Sequence, residues 1–498
     1  MLNVLVNTST SRDRLRSLCF TAGALLFLGL GGCATNPVTG EQDFVMFGED
    51  TELQMGRENH PKIITEYGRY KDQALQAYVQ SVGERLAAVS HRDNLTYRFT
   101  VLDSPVINAF ALPGGYIYIT RGLMAYLNSE AELAAVLGHE IGHVTARHGV
   151  RQQSAAQASS LGYTLGSLLI PELRGAGAQN IFNMLGGALL SGYGREHELE
   201  SDRLGAEYLA KSGYNPKAMI SVISVLKNQE EFAAAQAKKQ GREYQGYHGL
   251  FASHPDNDTR LQQVVSQASQ YADANKNGHL DRSAYLNHIE GMTFGDSQEQ
   301  GIRSNNHFYH LAMRFAVDFP EQWQINNNPT SLQAMSANGE AFMEMGADDL
   351  NLKLSPEQFI KQRLKVSDLR SGEKLNSHGL QGFTGITFTK GKPIRIGVVY
   401  LNDKAFIFFG GTKDNATFNG YDKEFLSTIK SLHSLRDDET RLAQELKIHI
   451  QTVRNGDTFQ SLAKQSRISN SPVDQLRLLN DAYPNGQLVS GQRIKQVK

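Results

Sequence analysis

The chain has 498 residues, with 50 lysines and arginines against 51 aspartates and glutamates, and 40% of its residues are hydrophobic. This length allows about two to four domains, and the balanced charge excludes a disordered tail protein and a nucleic-acid binder that relies on bulk positive charge. The only long apolar run lies at the N-terminus, so the sequence is not that of a polytopic membrane protein. Both cysteines, Cys19 and Cys33, lie in the first 33 residues and cannot hold a disulfide framework.

Residues 1–32 have the pattern of an export signal. A basic region at 12–16 precedes an apolar run at 18–32, which is shorter than the roughly 20 residues of a membrane span. The tetrapeptide LGGC that ends at Cys33 resembles a bacterial lipobox, and in such signals the cysteine is lipidated and begins the mature chain. The resemblance predicts a lipoprotein, and Ala34 after the cysteine favours the outer membrane. An ordinary signal peptide or a short anchor is the alternative.

Two successive segments are predicted after the signal, a tether and then a helical domain. Residues 33–60 are polar and turn-rich, whereas the pattern from about 61 to 295 is mostly helical. An extended stretch near 96–120 carries β-branched and aromatic residues around a Pro-Gly-Gly turn, which predicts a hairpin or a sheet edge. Small residues dominate 155–195, a composition that fits close helix packing and a mobile plug equally well.

The central motif is the sequence HEIGH, which begins at His139 and ends at His143. Ser129, followed three residues later by Glu132, predicts the start of a helix with an apolar face. Histidines four residues apart on a helix are neighbours, with about 5–6 Å between Cβ atoms, and can hold one Zn²⁺ while Glu140 lies alongside. A catalytic zinc needs a third protein ligand and keeps a position for water. By itself the motif also fits two ordinary histidines on a helix.

Helical phase points to the third ligand. Glu198 and Asp202 share a face that continues through small and apolar residues, and a buried acid needs a partner or a metal. Glu198 is therefore predicted as the third zinc ligand, and Asp202 as support for a ligating histidine. The alternative is that both are ordinary surface carboxylates. A second stripe is expected to face solvent, and its members are Glu196, Glu200, Arg203 and Glu207.

Two further histidines lie near the motif. His148, beside Arg147, is expected to cap the C-terminal end of the motif helix or to interact favourably with it, rather than to bind metal. His197 lies between two glutamates but on another face, and we expect it to be solvated.

The HEIGH motif followed by Arg195-x-x-Glu198-x-x-x-Asp202 resembles the HtpX / CAAX-prenyl-protease family of zinc metallopeptidases, and most closely its BepA-like periplasmic branch. The stretch NAFALPGG at 108–115 and the sequence SHP at 253–255 with Arg260 fit that branch, so the resemblance covers about residues 36–295. The branch carries helical repeats downstream that this sequence lacks, which leaves the choice of partner open.

The resemblance implies a gluzincin-type domain with one Zn²⁺ per chain. It assigns the metal to His139, His143 and Glu198, and the active-site acid to Glu140. Asp202 is carried over as a partner or proton donor, and His254 as a gating ligand that can occupy the open zinc position. The implied reaction is peptide hydrolysis, in which Glu140 takes a proton from water and returns it to the leaving amine.

The rest of the chain is predicted to form two further units. Alternating apolar residues at 311–319, strand patterns at 383–388, 394–400 and 405–409, and a helical pattern at 421–435 predict an α+β domain over 300–435 of unknown role. Residues 436–445 are predicted to be a linker. Residues 446–498 resemble a small βααβ LysM-like module, which implies binding to peptidoglycan, although a module used only for packing fits nearly as well.

The sequence thus predicts a multidomain protein: a mainly α (α+β) gluzincin-type metallopeptidase domain at 61–295, an α+β domain, and the LysM-like module. The predicted function is a zinc endopeptidase, lipid-anchored in the periplasm, that cleaves misfolded or misassembled envelope proteins. Its predicted partners are those substrates, the outer membrane through Cys33, and peptidoglycan, with no nucleic acid. The main alternative is a non-catalytic lipoprotein that binds envelope clients or peptidoglycan and holds a structural zinc. A zinc peptidoglycan hydrolase is a third hypothesis.

Overall fold

The structure, a computed structural model, describes residues 33–157, 194–239, 260, 263, 278–328, 331–350 and 353–498. Its helices are α1 (Glu49–Tyr67), α2 (Gln73–Ala87), α3 (Arg121–Tyr126), α4 (Glu130–Thr145), α5 (Arg195–Lys211), α6 (Ala218–Lys239), α7 (Arg282–Ile289), α8 (Pro356–Gln358), α9 (Phe418–Ser431), α10 (Asp437–Thr440), α11 (Phe459–Ala463) and α12 (Pro472–Leu479). The stretch rich in small residues at 155–195 lies largely outside the described residues.

The strands of the described residues fall into five sheets. They are β1 (Cys33–Thr35), β2 (Gln42–Phe44), β3 (Arg98–Leu102), β4 (Ala109–Leu112), β5 (Tyr116–Thr120), β6 (Thr293–Phe294), β7 (Ile302–Ser304), β8 (His307–His310), β9 (Phe315–Asp318), β10 (Gln324–Asn327), β11 (Ser331–Met335), β12 (Ala341–Asp349), β13 (Arg370–Ser377), β14 (Leu380–Thr389), β15 (Lys392–Leu401), β16 (Lys404–Thr412), β17 (His433–Ser434), β18 (Leu446–Thr452) and β19 (Arg493–Val497). Their orders are β1-β2, β3-β5-β4, β10-β11-β12-β16-β15-β14-β13, β17-β9-β8-β7 and β19-β18-β6.

The first half of the chain is mainly helical around the small sheet β3-β5-β4. The predicted hairpin is confirmed: β4 and β5 pair antiparallel across the turn at 113–115, and β5 is buried along its whole length. Gly114 has φ +81°, and a Cβ there would lie 2.9 Å from the Leu53 Cα, so both the turn and the contact with α1 favour glycine. Within the described residues β4 forms one edge of this sheet.

Helix α4 carries the HEIGH motif and is buried along all of its 16 residues. Ser129 caps it by accepting a hydrogen bond from the Glu132 backbone N–H. The Glu132 carboxylate accepts from the Asn128 N–H at 2.6 Å, one residue before the position that a capping box uses. The sequence therefore places the start of this helix correctly.

Glycines bring α4 and α5 unusually close. A Cβ at Gly142 would lie 3.0 Å from the Ser201 Cα, and a Cβ at Gly205 would lie 3.0 Å from the His139 backbone nitrogen. A larger side chain at either position would push the helices apart, because these neighbours are backbone atoms. This close packing is what carries the acidic face of α5 to the histidines of α4.

Residues 33–60, predicted as a tether, contain the β1-β2 hairpin and the first part of α1. Glu52 of α1 is 1% exposed and is paired with Arg92 at 2.7 Å and with Arg147 at 3.1 Å. The Met46 N–H donates to Ser154 Oγ at 3.0 Å. The N-terminal segment is therefore packed against the end of α4.

The region at 300–435 contains the seven-stranded antiparallel sheet, with α9 packed on one face. The predicted strands near 383–409 correspond to β14, β15 and β16. The predicted strand at 311–319 is wrong in its first part, because the chain turns before Phe315 with Arg314 at φ +54° and only β9 is extended. The predicted helix at 421–435 ends at Ser431 and is followed by β17.

The C-terminal residues fold as strand, two helices and strand, with β18 and β19 antiparallel. The predicted linker at 436–445 includes α10 and the fully buried Ala443. In the described part of the chain, no helix combines the length and the apolarity needed to cross a membrane.

Candidate metal centre

Helices α4 and α5 bring three predicted metal ligands together. His139 and His143 lie one turn apart on α4, with their Nε2 atoms 2.9 Å from each other. Glu198, from the first turn of α5, places Oε2 3.5 Å from His139 Nε2 and Oε1 3.4 Å from His143 Nε2. All three side chains are buried, and their ligand atoms lie within 4.8 Å of one another.

This arrangement fits a zinc ion. Two imidazoles and one carboxylate form a donor set that zinc accepts, and bonds of about 2.0–2.1 Å in a tetrahedron separate neighbouring ligand atoms by about 3.3 Å. The two distances from Glu198 are close to that separation. Three protein ligands leave a position for water, the pattern of a catalytic zinc site rather than a closed structural one.

The region around His139 is strongly charged. Asp202 Oδ1 lies 2.8 Å from His139 Nδ1, and Arg260 donates two hydrogen bonds of 2.8 Å to the same carboxylate. Burial raises the pKa of Asp202, but Arg260 and His139 outweigh this effect and lower it to about 2. An ionised Asp202 accepts a hydrogen bond from the Nδ1–H group of His139. This state favours the predicted role of Asp202 as a partner of the ligating histidine over the role of a proton donor.

The same carboxylates act on the proton affinity of His139. Burial lowers its pKa, but hydrogen bonds and charge interactions with Asp202 and Glu198 outweigh burial and raise it to about 9. Burial lowers the pKa of His143 well below its ordinary value. The negative charges of Asp202 and Glu198, which raise the proton affinity of His139, also favour a metal cation bound at this histidine.

Glu140 follows His139 on α4 and is 1% exposed. Its charge, with those of Asp202 and Glu198, acts on Arg260, whose pKa is raised although burial lowers it. Among the described residues three buried carboxylates thus surround this guanidinium, and a divalent cation would balance the excess negative charge. Buried carboxylates in excess of the available positive charge require a further partner or a metal ion.

His143 is held by residues to which the sequence analysis gave other roles. His148 is 0% exposed, and its Nδ1 lies 2.9 Å from His143 Nδ1, while its Nε2 lies 2.9 Å from Glu200 Oε2. His148 was expected to act on the helix end and Glu200 to face solvent, and the contact between them corrects both expectations. His197, expected to be solvated, is partly buried and stacks on His148 with 4.2 Å between ring centroids.

A small cleft lies beside His143, one of the three metal ligands. It is lined by the end of β4 and the following turn, by the end of α4 and the segment after it, and by α1. His143 and Arg147 contribute from one side, and Leu112 and Pro113 from the other.

Two predicted residues are not placed by side-chain contacts. His254 lies outside the described residues. Cys33 begins β1, where its backbone pairs with Phe44. Arg260, for which the sequence predicted no role beyond its place in a motif, lies 3.2 Å from Glu198 and contacts Asp202 directly.

Comparison with known families matches two parts of the chain. Residues 73–268 match peptidase family M48, and residues 452–495 match the LysM domain. The metal ligands and Glu140 fall inside the first match. The α11–α12 pair and the first three residues of β19 fall inside the second match, whereas only the last residue of β18 does.

Individual relatives point the same way. The chain is 32% identical over 209 residues to a beta-barrel assembly-enhancing protease from Yersinia pestis, covering 40% of each chain. It is 29% identical over 229 residues to the protein of that name from Escherichia coli K12, covering 44% of each chain. It is 30% identical over 197 residues to the mitochondrial metalloendopeptidase OMA1 of Arabidopsis thaliana, covering 40% of this chain and 38% of that one. The chain therefore spans less than half the length of these relatives.

Peptidases of family M48 depend on zinc, and the cluster of His139, His143 and Glu198 is able to bind it. The family match and the metal-binding cluster confirm the predicted zinc cofactor and metallopeptidase class. The second match confirms the C-terminal LysM domain.

Proposed function

Because the chain carries a peptidase family M48 domain at 73–268 and a LysM domain at 452–495, we propose that it is a zinc-dependent endopeptidase that hydrolyses misfolded or misassembled cell-envelope proteins. The observation that carries the proposal is the buried triple of His139, His143 and Glu198, with Glu140 on the same helix. A third ligand supplied by a glutamate on a later helix is the gluzincin-type arrangement.

The residues divide the work of hydrolysis. A bound zinc supplies Lewis-acid chemistry that polarises a carbonyl and makes water more acidic. The Glu140 carboxylate takes the proton of the attacking water and returns it to the leaving amine. Asp202, held by Arg260, keeps the Nδ1 proton of His139 and so directs Nε2 toward the metal.

The sheet edge supports an extended substrate. Strand β4 ends at Leu112, next to the cleft that also contains His143. A polypeptide in extended form can pair with such an edge through main-chain hydrogen bonds, which do not depend on the side chains of the substrate. This mode of binding suits unfolded chains.

The envelope location rests on sequence features and on relatives. The relatives from Yersinia pestis and Escherichia coli are named for enhancing beta-barrel assembly. The lipobox-like sequence supports a lipid on Cys33 and a place on the periplasmic side of the outer membrane, where several acyl chains on one cysteine would hold the protein firmly. The LysM domain supports contact with peptidoglycan. His254 stays a candidate gating ligand.

The test is the substitution Glu140→Gln in the purified mature chain, with the exposed Glu196→Gln as a matched control on α5. We expect casein hydrolysis to fall by at least about 100-fold while bound zinc stays at one ion per chain, because Gln cannot take the proton and does not touch the ligand set. Unchanged proteolysis would contradict the proposal. Bound zinc without proteolysis in the unmodified chain would favour the non-catalytic binding protein.

A further inference from the structure

The two imidazoles of the metal centre have different partners at Nδ1. His139 contacts a carboxylate, Asp202, whereas His143 contacts a second imidazole, His148, at 2.9 Å. His148 in turn contacts Glu200 at 2.9 Å, so a chain of two hydrogen bonds leads from His143 to the partly buried edge of α5. None of the proposed steps of hydrolysis uses His148 or Glu200.

One arrangement of protons satisfies both contacts and also leaves a lone pair on His143 Nε2 for the metal. Glu200 is an acceptor when ionised, so the Nε2 of a neutral His148 carries the proton and its Nδ1 is an acceptor. His143 Nδ1 must then be the donor, which leaves the lone pair of His143 on Nε2, facing Glu198 and His139.

The surroundings hold this chain in place. His148 is fully buried, its ring stacks on His197, and Ser201 Oγ lies 3.3 Å from its Nδ1. Glu200 also lies 3.5 Å from Arg151 Nη1.

We propose that His148 and Glu200 are positioning residues that fix the tautomer and the ring orientation of the metal ligand His143. The inference rests on the proposed zinc function and adds two residues to it. A hydrogen bond to the second nitrogen of a ligating histidine sets its tautomer and its basicity, and its loss costs about 10–100-fold in metal affinity or activity.

The experiment measures zinc affinity by competition with a chelator on the full mature chain. We expect His148→Phe, which keeps a ring stacked on His197, to weaken zinc binding by about 10–100-fold. His148→Gln keeps an oxygen that can accept the His143 proton, and we expect it to restore part of that loss. Glu200→Gln should lie between these variants and the unmodified chain, because a neutral oxygen polarises His148 less than a carboxylate does.

Two controls separate positioning from general damage. His197→Phe keeps the ring stack and leaves the His143–His148–Glu200 contacts in place, so we expect less than about a twofold change. Arg151→Gln removes the other contact of Glu200, and we expect a similarly small effect. The absorption bands of Co²⁺ bound in place of zinc should shift in His148→Phe and stay unchanged in both controls.

The outcomes distinguish this inference from the proposed function. If the unmodified chain binds zinc and His148→Phe binds it within about twofold, the positioning role is wrong while the peptidase proposal stands. If the unmodified chain binds no zinc under metal-replete conditions, both are wrong. If His148→Phe fails to fold, Glu200→Gln at its partly exposed position decides, and unchanged zinc affinity there overturns the inference.

Discussion

The LysM domain and the middle β-rich region both follow the peptidase domain in sequence, but they relate to it in different ways. Apolar residues of the LysM domain belong to the same hydrophobic cluster as the core of the peptidase domain, and they include Ile448, Phe459, Leu476, Leu479 and Ile494. The middle region builds its own clusters around Phe408 and Phe359. Order along the chain therefore does not tell which unit is structurally part of the enzyme.

A buried lysine marks the joint with the LysM domain. Lys495 of β19 is 0% exposed and donates hydrogen bonds of 2.7 Å to the carbonyls of Ala125 and Leu127, at the end of α3. Burial lowers its pKa and raises that of Glu132, which lies near it in the first turn of α4. The last strand of the chain thus holds the segment that leads into the metal helix.

The middle region has the geometry of an insertion. Phe294 of β6 pairs directly with Leu446 of β18, so the residues before and after this region lie side by side. Just before this region, Glu299 forms an ion pair of 2.6 Å with Lys71 of the peptidase domain, and both side chains are well exposed. We therefore expect the peptidase and LysM domains to remain folded without the middle region.

The largest effect is expected from deletion of residues 446–498. This deletion exposes apolar surface of the shared core and removes the Lys495 contacts in front of α4, so we expect loss of cooperative thermal unfolding and of bound zinc. Calorimetry and metal analysis would measure both. A truncated chain that stays folded with one zinc ion would show that the LysM domain is a separable module.

The next largest effect is expected for Lys495→Met. The substitution leaves two buried carbonyls without their hydrogen-bond donor, and each unsatisfied buried group costs about 1–3 kcal/mol. For a unit of this size the two together correspond to a fall of about 4–24 °C in melting temperature. Lys498→Met, at the exposed last residue, is the matched control, and equal melting temperatures for the two variants would refute the role of Lys495.

Excision of residues 301–443 with a short Gly-Ser linker should have a much smaller effect. Because Phe294 and Leu446 are already paired, the linker spans a short gap, and the distant metal centre should be unaffected. We expect zinc content and casein hydrolysis to stay within about twofold of the full chain. A loss of zinc would mean that the middle region supports the peptidase core, whereas loss of one substrate alone would indicate a docking role.

The smallest effect is expected for Lys71→Ala. An exposed ion pair contributes about 0.2–1 kcal/mol, so the melting temperature should fall by at most a few degrees and the difference should shrink at high salt. Scanning calorimetry at low and high ionic strength would measure it. A large fall that persists at high salt would show that the segment leading into the middle region is held more firmly than this exposed contact indicates.

Local patterns predicted much of this molecule. The start of α4 follows from Ser129, the β4-β5 hairpin from the turn at 113–115, and the choice of Glu198 over Glu196 from helical phase. The alternation at 311–319 misled, because period-two spacing does not reveal that the chain turns before Phe315. Sequence patterns predict a structure correctly where that structure depends on residues only a few positions apart in the chain.

The sequence by itself determined the metal-binding motif, the class of chemistry and the presence of a LysM domain, because these depend on spacing along one helix or within one short module. Only the tertiary structure decided that Glu200 contacts His148, 52 residues earlier, and that a lysine near the C-terminus is buried in front of the metal helix. A surface-like residue becomes buried when distant segments pack over it. That packing is set by the whole core, and no local pattern records it.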